Sequence, residues 1–343
     1  MANNLKSAIN IVNEKQRDLT ENEAYLAMQE MMSDRSTENE ISILLTALAK
    51  KGESVSEISG MVKVMQKECL SVNNVKLPLL DTCGTGGAPI KTFNVSTASA
   101  FIASAAGASV AKHGNRAMTS KSGSADFLEA LGAKIDMNES IVANSINEIG
   151  IGFMFAQNFH PAMKYVANVR KSLGIRTIFN LLGPLTNPAS ANCRILGAST
   201  KVVAKKMAQA IARMNLRHVL VVTGEEGIDE VSIMGPTHVY EVKNSQITEF
   251  LIHPNDFDLK THDILKVASK SPAGNAQSFR DVISGKGDKA IHDFILINAG
   301  PALYVSGVVS SIKNGIELAA KVIENGKAAD KVTAFIDYTK KFS

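Results

Sequence analysis

No tryptophan occurs in this chain, and aromatic residues as a whole make up only 5% of it. Nucleic-acid modules that stack bases need aromatic platforms, so this scarcity argues against them. Cysteine is almost as rare. Cys69, Cys83 and Cys193 lie far apart with no CxxC spacing, which argues against a disulfide framework and points to a reducing compartment. A large charge excess is also missing: the formal net charge of +4 suits an anionic substrate but is too small to imply a polyanion partner. No apolar run approaches the length of a membrane span. The N-terminal stretch MANNLKSAINIVNEK is broken by charge and amides, unlike a signal peptide. The expectation is a cytoplasmic protein with no membrane and no nucleic-acid partner.

What is present is ordinary for a globular chain: 45% hydrophobic and 20% charged residues over 343 positions, enough for two domains. Residues 4 to 70 read as four short helices. Thr20-x-x-Glu23, Thr37-x-x-Glu40 and Ser54-x-x-Glu57 each match a capping box, in which hydroxyl and carboxylate satisfy free N–H groups at a helix start. After a polar connector, Ser71 to Pro78, the composition changes. Short apolar runs (Leu79 to Asp81, Ser109 to Ala111, Gly152 to Phe155, Cys193 to Leu196, His218 to Val222) alternate with helical patterns near 97–106, 124–131, 138–149, 161–171 and 201–214. Such alternation predicts a buried, mostly parallel sheet. Val239 to Val242 and Ile247 to Leu251 read as an antiparallel addition, and helices near 275–284, 288–304, 308–325 and 327–341 close the chain. The fold class is therefore α/β: a small all-helical N-terminal domain, 1–72, and a larger α/β domain, 73–343, whose sheet is flanked by helices.

The stretch from Asp81 to Asp126 holds two glycine-rich turns, a hydroxyl-lined helix start and a basic cluster. Glycines let backbone N–H groups approach an anion, and helix N-termini favour negative charge, so the stretch points to phosphate. Gly84-Thr85-Gly86-Gly87 lacks both the dinucleotide fingerprint and the Gly-Lys-Ser/Thr ending of a P-loop. Alone it reads equally as a tight strand-to-helix turn. With Asn94, Ser96 and Thr97 entering the next helix, the balance moves to a polyphosphate cradle. Lys112-His113-Gly114-Asn115-Arg116 follows a predicted strand end, where open parallel sheets bind ligands, although a solvated basic turn has the same composition. Asp229 and Glu230 suit Mg²⁺, a cation that takes oxygen ligands. With Glu225 and Glu226 nearby, spacing alone favours a solvated acidic loop, and a diphosphate substrate would reverse that. Arg170 and Arg176 precede TIFNLLGPLTNP and are natural partners for a carboxylate or for a helix dipole. His160, before Pro161, fits a loop support better than a base. No metal-ligating histidine spacing and no Ser-His-Asp or Cys-His arrangement is present.

Taken together, GTGG at 84–87, NVST at 94–97, KHGNR at 112–116, SGSAD at 122–126, HPAM at 160–163, NVR at 168–170, GIRTIFNLLGPLTNP at 174–188 and DE at 229–230 resemble the anthranilate phosphoribosyltransferase family, and the resemblance runs over essentially the whole chain. It implies a helical domain that helices from about 160–190 rejoin, an active site at the hinge, and a homodimer through the helical domains. An association with anthranilate synthase is a further possibility in such a family. The implied reaction joins the amine of anthranilate to C1 of 5-phosphoribosyl 1-diphosphate (PRPP) with loss of pyrophosphate, the second dedicated step of tryptophan biosynthesis. No covalent or acid/base residue is called for, because the burden falls on electrostatics and positioning.

By motif, the resemblance assigns PRPP to Gly84, Thr85, Gly86, Gly87, Thr92, Asn94, Ser96, Thr97, Lys112, His113, Gly114, Asn115 and Ser124. It assigns anthranilate to Gly84, Asn115, His160, Arg170 and Gly183, with His113 also on the aromatic's path. Two Mg²⁺ ions are implied, one on Ser96 and Glu230 and one on Asp229 and Glu230. One departure stands out: Ala88 follows GTGG where the family pattern has Asp, removing one acid from the region. Two other readings are a pyrimidine nucleoside phosphorylase, which shares the glycine loop and Lys-His-Gly turn, and a nucleic-acid-binding relative without activity.

Overall fold

The computed structural model describes residues 3–117 and 121–342. Four helices open the chain: α1 (Asn4–Asn13), α2 (Glu21–Met31), α3 (Glu38–Lys51) and α4 (Val55–Lys67). The three expected capping boxes all form, on Thr20, Thr37 and Ser54. Glu57 does more than cap. Its buried carboxylate accepts from the Ser54 N–H (2.7 Å) and the Leu19 N–H (2.9 Å) and pairs with Lys51 (3.0 Å), locking the start of α4 to the loop before α2. Charge-assisted bonds of this kind are about twice as strong as neutral ones.

The rest of the chain builds one seven-stranded sheet. In chain order come β1 (Leu80–Gly84), α5 (Val95–Ala105), β2 (Val110–Gly114), α6 (Ser124–Ala130), α7 (Glu139–Ile149), β3 (Ile151–Phe155), α8 (Ala156–Phe159), α9 (Lys164–Leu173), α10 (Ile178–Leu185), β4 (Cys193–Gly197), α11 (Lys201–Ile211), β5 (His218–Gly224), β6 (Thr237–Lys243) and β7 (Gln246–Ile252). They are followed by α12 (Pro272–Ile283), α13 (Lys289–Ser306), α14 (Ile312–Glu324) and α15 (Lys327–Lys340). The strand order is β3-β2-β1-β4-β5-β6-β7; the first five are parallel, and β6 and β7 are antiparallel as their pattern implied. Chain direction across the sheet reverses between β1 and β4. Open α/β sheets bind ligands outside the carboxyl ends of their strands at such a point.

Two expectations need correction. β1 and β2 run further than their apolar residues suggest: Gly84 pairs with Gly197, and His113 and Gly114 pair with Met154 and Phe155. The Lys112-His113-Gly114 segment is therefore the end of a strand rather than a turn after it. The glycine loop is not a tight strand-to-helix turn either, since ten residues separate Gly84 from Val95 and the start of α5. In the stretch of about 160–190, where the resemblance implied helices, α9 and α10 form, the latter within TIFNLLGPLTNP with Pro184 inside it. Leu181, Leu182 and Leu185 are buried on that helix, and their burial at about 2 kcal/mol each outweighs one lost backbone bond.

Two apolar cores result. One lies in the α/β body, around α5, α13 and the sheet. The other joins the four N-terminal helices to α9, α10 and α11 and to the opposite face of β4, β5 and β6. Among the described residues no helix is long and apolar enough to cross a membrane, and the three cysteines are free.

Candidate active site

At the β1–β4 crevice the two strands end in glycines, and Asp229 sits against both. A Cβ on Gly84 would stand 2.6 Å from Asp229 Oδ2, and one on Gly197 only 1.6 Å from the Asp229 carbonyl oxygen. No side chain fits at either place. The Gly86 N–H donates to Asp229 Oδ2 at 2.8 Å. Gly86 and Gly87 hold φ of +64° and +77°, a left-handed conformation that favours glycine. Gly87 also backs onto the Arg176 side chain, whose guanidinium reaches the Ser199 hydroxyl. The loop is tied to β4 where the Thr85 N–H meets the Gly197 carbonyl at 2.9 Å. Ala88 is buried.

Glu230 stands beside Asp229. Thr92 donates to its carboxyl, while its Oε2 is sealed from solvent without a partner. Burial first and Asp229 second push the Glu230 carboxyl well above the usual range, and burial raises that of Asp229. Two adjacent carboxylates in a dry place resist ionising together. Both line a void of about 20 Å³ that Thr82, Ser96, Ser99 and Asn298 also line. That is room for one water or one ion. Among the described residues no three His, Cys, Asp or Glu side chains gather as a metal cage. Two carboxylates, a hydroxyl and an unpaired carboxylate oxygen fit Mg²⁺, which binds through one or two carboxylates plus water and substrate phosphate.

Helix α5 starts without a side-chain cap. Asn94, at the capping position, is engaged elsewhere: its Oδ1 accepts from Ser122 (2.8 Å) and Asn275 (2.8 Å), and its Nδ2 donates to the Ser122 carbonyl (3.0 Å). That fixes the loop around 122 over the helix start; the Val95 and Thr97 N–H groups bond to the Phe93 and Asn94 carbonyls, so the positive end of the α5 dipole is what the helix offers an anion. Just inside, Thr97 Oγ1 and Ser99 Oγ are buried without partners. Gly114 and Ser124 close the far wall; a Cβ on Gly114 would lie 2.8 Å from Ser124 Cβ. Asp126 braces that wall, accepting from the Ala117 and Gly123 N–H groups at 2.9 Å each.

Lys112 lies deeper than its sequence position suggests. It is 2% exposed, with Nζ on the Thr82 carbonyl at 2.5 Å. Around it is a paired set. Asp81 accepts from Asn187 (2.7 Å) and the His113 N–H (3.1 Å), and Arg194 donates to the Ala191, Pro184 and Leu185 carbonyls. One carboxylate between two cations leaves the ground beneath the glycine loop positive.

On the other side of β2, the His113 and His160 rings lie 5.0 Å apart. Burial drives both pKa values down, to about 4 and about 3, and each charged ring is further opposed by a neighbour, Lys112 or His113. Each ring also meets a carbonyl, Gly183 for His113 and Thr186 for His160, while both Nε2 atoms are buried and unpartnered. The carbonyls must accept from Nδ1–H, so each Nε2 presents a lone pair. Gly183 has open space where a Cβ would be. Arg170, on α9, stacks its guanidinium 5.0 Å from the Phe179 ring centroid and pairs with no carboxylate among the described residues, which suits it to receive an anion. Asn115 is exposed, its Oδ1 accepting from the Arg116 N–H.

Of the eight buried polar atoms without a partner among the described residues, five (Thr97 Oγ1, Ser99 Oγ, His113 Nε2, His160 Nε2 and Glu230 Oε2) belong to this crevice. At about 1–3 kcal/mol each their cost rivals the net stability of a whole domain. Unpaired groups at that density mark a place where a ligand supplies the partners.

A glycosyl transferase family a/b domain model matches residues 76–329, and the helical bundle domain model of the same family matches 6–69. The anthranilate phosphoribosyltransferase of Stutzerimonas stutzeri is 41% identical over 342 residues, covering 98% of each chain. That of a Thermoanaerobacter species is 42% identical over 340 residues, covering 99% of this chain and 100% of its own. The chain belongs to the anthranilate phosphoribosyltransferase family. The crystal structure of the Thermus thermophilus enzyme superposes with a TM-score of 0.91 at 36% identity, covering 99% of this chain and 100% of that one. The Saccharomyces cerevisiae enzyme, solved in complex with PRPP and Mg, gives 0.89 at 31% identity with 98% of both chains covered.

Some residues of this crevice escape a reading of the sequence. Gly197 closes a strand and gives no local sign that Asp229 sits on it. Asp81, Asn187 and Arg194 look like ordinary strand and loop residues. Asn298 leaves one trace, a lone amide in the apolar run FILINAG. By contrast Ser96, Asp229 and Glu230 meet around one void, and His113, His160 and Gly183 meet at the end of β2.

Proposed function

We infer that this chain transfers the 5-phosphoribosyl group of PRPP to the amine of anthranilate, giving N-(5-phosphoribosyl)anthranilate and pyrophosphate, as a Mg²⁺-dependent enzyme of tryptophan biosynthesis. The observation that carries the site assignment is the cluster of unpaired polar atoms at the β1–β4 crevice.

In this reading Gly84, Thr85, Gly86 and Gly87 wrap the diphosphate and ribose, and Thr92, Asn94, Thr97, Gly114, Asn115 and Ser124 complete the PRPP walls with the open N-terminus of α5. Lys112 acts from beneath: its ammonium holds Thr82 and contributes positive field to the loop above. Ser96 and Glu230 would hold one Mg²⁺, and Asp229 and Glu230 a second, where the ion would supply positive charge against the diphosphate. Arg170 receives the carboxylate of anthranilate, with Asn115, Gly84 and Gly183 shaping its seat. His113 and His160, neutral at pH 7, turn Nε2 lone pairs toward the amine hydrogens and orient the nitrogen. An aryl amine needs no deprotonation before attack, so positioning and electrostatics suffice.

Residues 1–72 form the small domain, rejoined by α9 and α10, which pack on α3 and α4, and 73–343 form the large one, with closure at the hinge. The working form is a cytoplasmic homodimer joined through the helical domains, with anthranilate synthase as a possible companion.

Anthranilate fluorescence tests the reading. It should fall only when enzyme, PRPP and Mg²⁺ are all present, with stoichiometric pyrophosphate release. Phosphate-dependent release of thymine from thymidine would favour a nucleoside phosphorylase instead, and salt-sensitive binding to single-stranded DNA without turnover would favour a binding protein.

A further inference from the structure

Asp229 and Glu230 stand in a twelve-residue connection, 225–236, with no helix or strand of its own. Something outside it must fix two carboxylates that disfavour each other. Upstream, the Gly86 N–H holds Asp229 and Thr92 holds Glu230. Downstream, the next residue, Val231, is clasped by a single side chain from a distant helix. Asn298 Oδ1 accepts from the Val231 N–H at 2.9 Å, and Asn298 Nδ2 donates to the Val231 carbonyl at 3.0 Å. The same Nδ2 donates to the Phe294 carbonyl one turn earlier at 2.9 Å, which fixes the amide's orientation on its own helix. Asn298 is 6% exposed, and its side chain lines the void shared by Ser96, Asp229 and Glu230.

The helix carrying it is well anchored. α13 packs against β1, β4, β5 and α5, so it touches the sheet strands whose ends form the crevice and the helix that supplies Ser96. A buried amide making three bonds cannot swivel without leaving polar groups unpaired. The clasp thus transfers the rigidity of α13 to an irregular loop.

We propose that Asn298 is a positioning residue for the metal-binding carboxylates: by clasping Val231 it holds Glu230 Oε2 aimed into the void. The inference rests on Asp229 and Glu230 being the Mg²⁺ carboxylates. A residue of this kind does not touch substrate. Its loss acts through ligand orientation, where outer-shell partners typically change metal affinity 10–100-fold.

The test is direct titration of Mn²⁺, as a spectroscopic stand-in for Mg²⁺, into the PRPP-loaded enzyme, with KM for anthranilate measured in parallel. Four variants are compared with the parent: Asn298→Ala, Asn298→Leu, Leu303→Ala and Glu230→Gln. Asn298→Leu keeps the side-chain volume while removing every clasp bond, so it serves if the alanine variant fails to fold. Leu303, buried on the same helix, controls for mere weakening of α13. The expected result is a 10-fold or larger loss of Mn²⁺ affinity in both Asn298 variants, with KM for anthranilate within twofold and Leu303→Ala unchanged in metal affinity. Metal affinity within twofold of the parent in the Asn298 variants, while Glu230→Gln weakens it, overturns the role of Asn298. So does an equal loss in Leu303→Ala, which would make the effect a general one. An unchanged affinity in Glu230→Gln overturns the metal assignment itself.

Discussion

Two polar regions lie close together along the same strands, one toward their starts and one toward their carboxyl ends, and they obey opposite rules. Beneath the glycine loop, Asp81, Lys112, Asn187 and Arg194 are buried, and all of them are bonded. Just above, Thr97, Ser99, His113 and His160 are buried with atoms left unpaired, and half-buried Glu230 keeps a sealed, unpaired Oε2. The first pattern is what folding demands of interior charge, since unpaired charge costs several kcal/mol. The second is tolerable only if another molecule completes it. Satisfaction of bonding capacity, more than burial or charge, separates scaffold from site here.

The largest expected effect comes from breaking the scaffold side. Asp81→Ala leaves the buried Asn187 amide and the His113 N–H without their acceptor and removes the negative charge near Lys112 and Arg194, and should cost about 2–5 kcal/mol of stability, read from denaturant unfolding. A loss below about 1 kcal/mol would mean that the set is not a functioning ion cluster. Next is the response to acid, which the site histidines control. Their folded pKa values of about 4 and about 3 lie below the unfolded value of 6.5, so below 6.5 the unfolded chain binds protons that the folded chain refuses. The histidine contribution to stability should therefore fall as pH drops from 6.5 toward 4, by about 3 kcal/mol per histidine; the raised carboxyls of Asp229 and Glu230 act in the opposite direction, so the check is the parent's pH dependence minus that of His160→Asn, which should fall with acid. Asp293 titrates near 2 in the folded state against an ordinary value of 3.8, so its contribution disappears only below that window.

On the site side, Arg170→Ala should raise KM for anthranilate at least 10-fold, in line with about 1.5–3 kcal/mol for a bond to a charged group. KM for PRPP should stay within twofold, and melting should shift little because the guanidinium has no carboxylate partner in the protein to lose. An increase confined to KM for PRPP would move Arg170 to the other substrate. The smallest effect belongs to a residue in neither region: Thr37→Ala removes the hydroxyl half of a capping box and should cost about 1 kcal/mol with turnover unchanged.

The contrast also explains how much could be read from the sequence. Helix starts were legible because a capping box is local, with Thr37 and Glu40 three residues apart. The alternation of strands and helices was legible for the same reason. Strand ends were not, because Gly84, His113 and Gly114 look like turn residues and are paired only through neighbours far along the chain, Gly197, Met154 and Phe155. α10 was expected only through the family resemblance, because Gly183-Pro184 masks it locally; their breaking tendency is overruled by burial of three leucines. Within the crevice, the residues with unpaired atoms sat in recognisable motifs, except Ser99, which follows NVST by two positions. Those that hold them did not: the clasp of Asn298 on Val231 spans 67 positions, and the contact of Gly197 with Asp229 forms only once the sheet is built.

The most direct measurement is thermal melting of the parent and Glu230→Gln, each with and without Mg²⁺ and PRPP. If the crevice keeps Glu230 unpaired for a ligand, the ligand-free variant melts above the ligand-free parent, because burial beside Asp229 penalises the carboxylate. The stabilisation given by Mg²⁺ and PRPP to the parent should then largely vanish in the variant. A variant that melts lower than the parent and is stabilised just as strongly by Mg²⁺ and PRPP would place Glu230 with the scaffold and contradict the account.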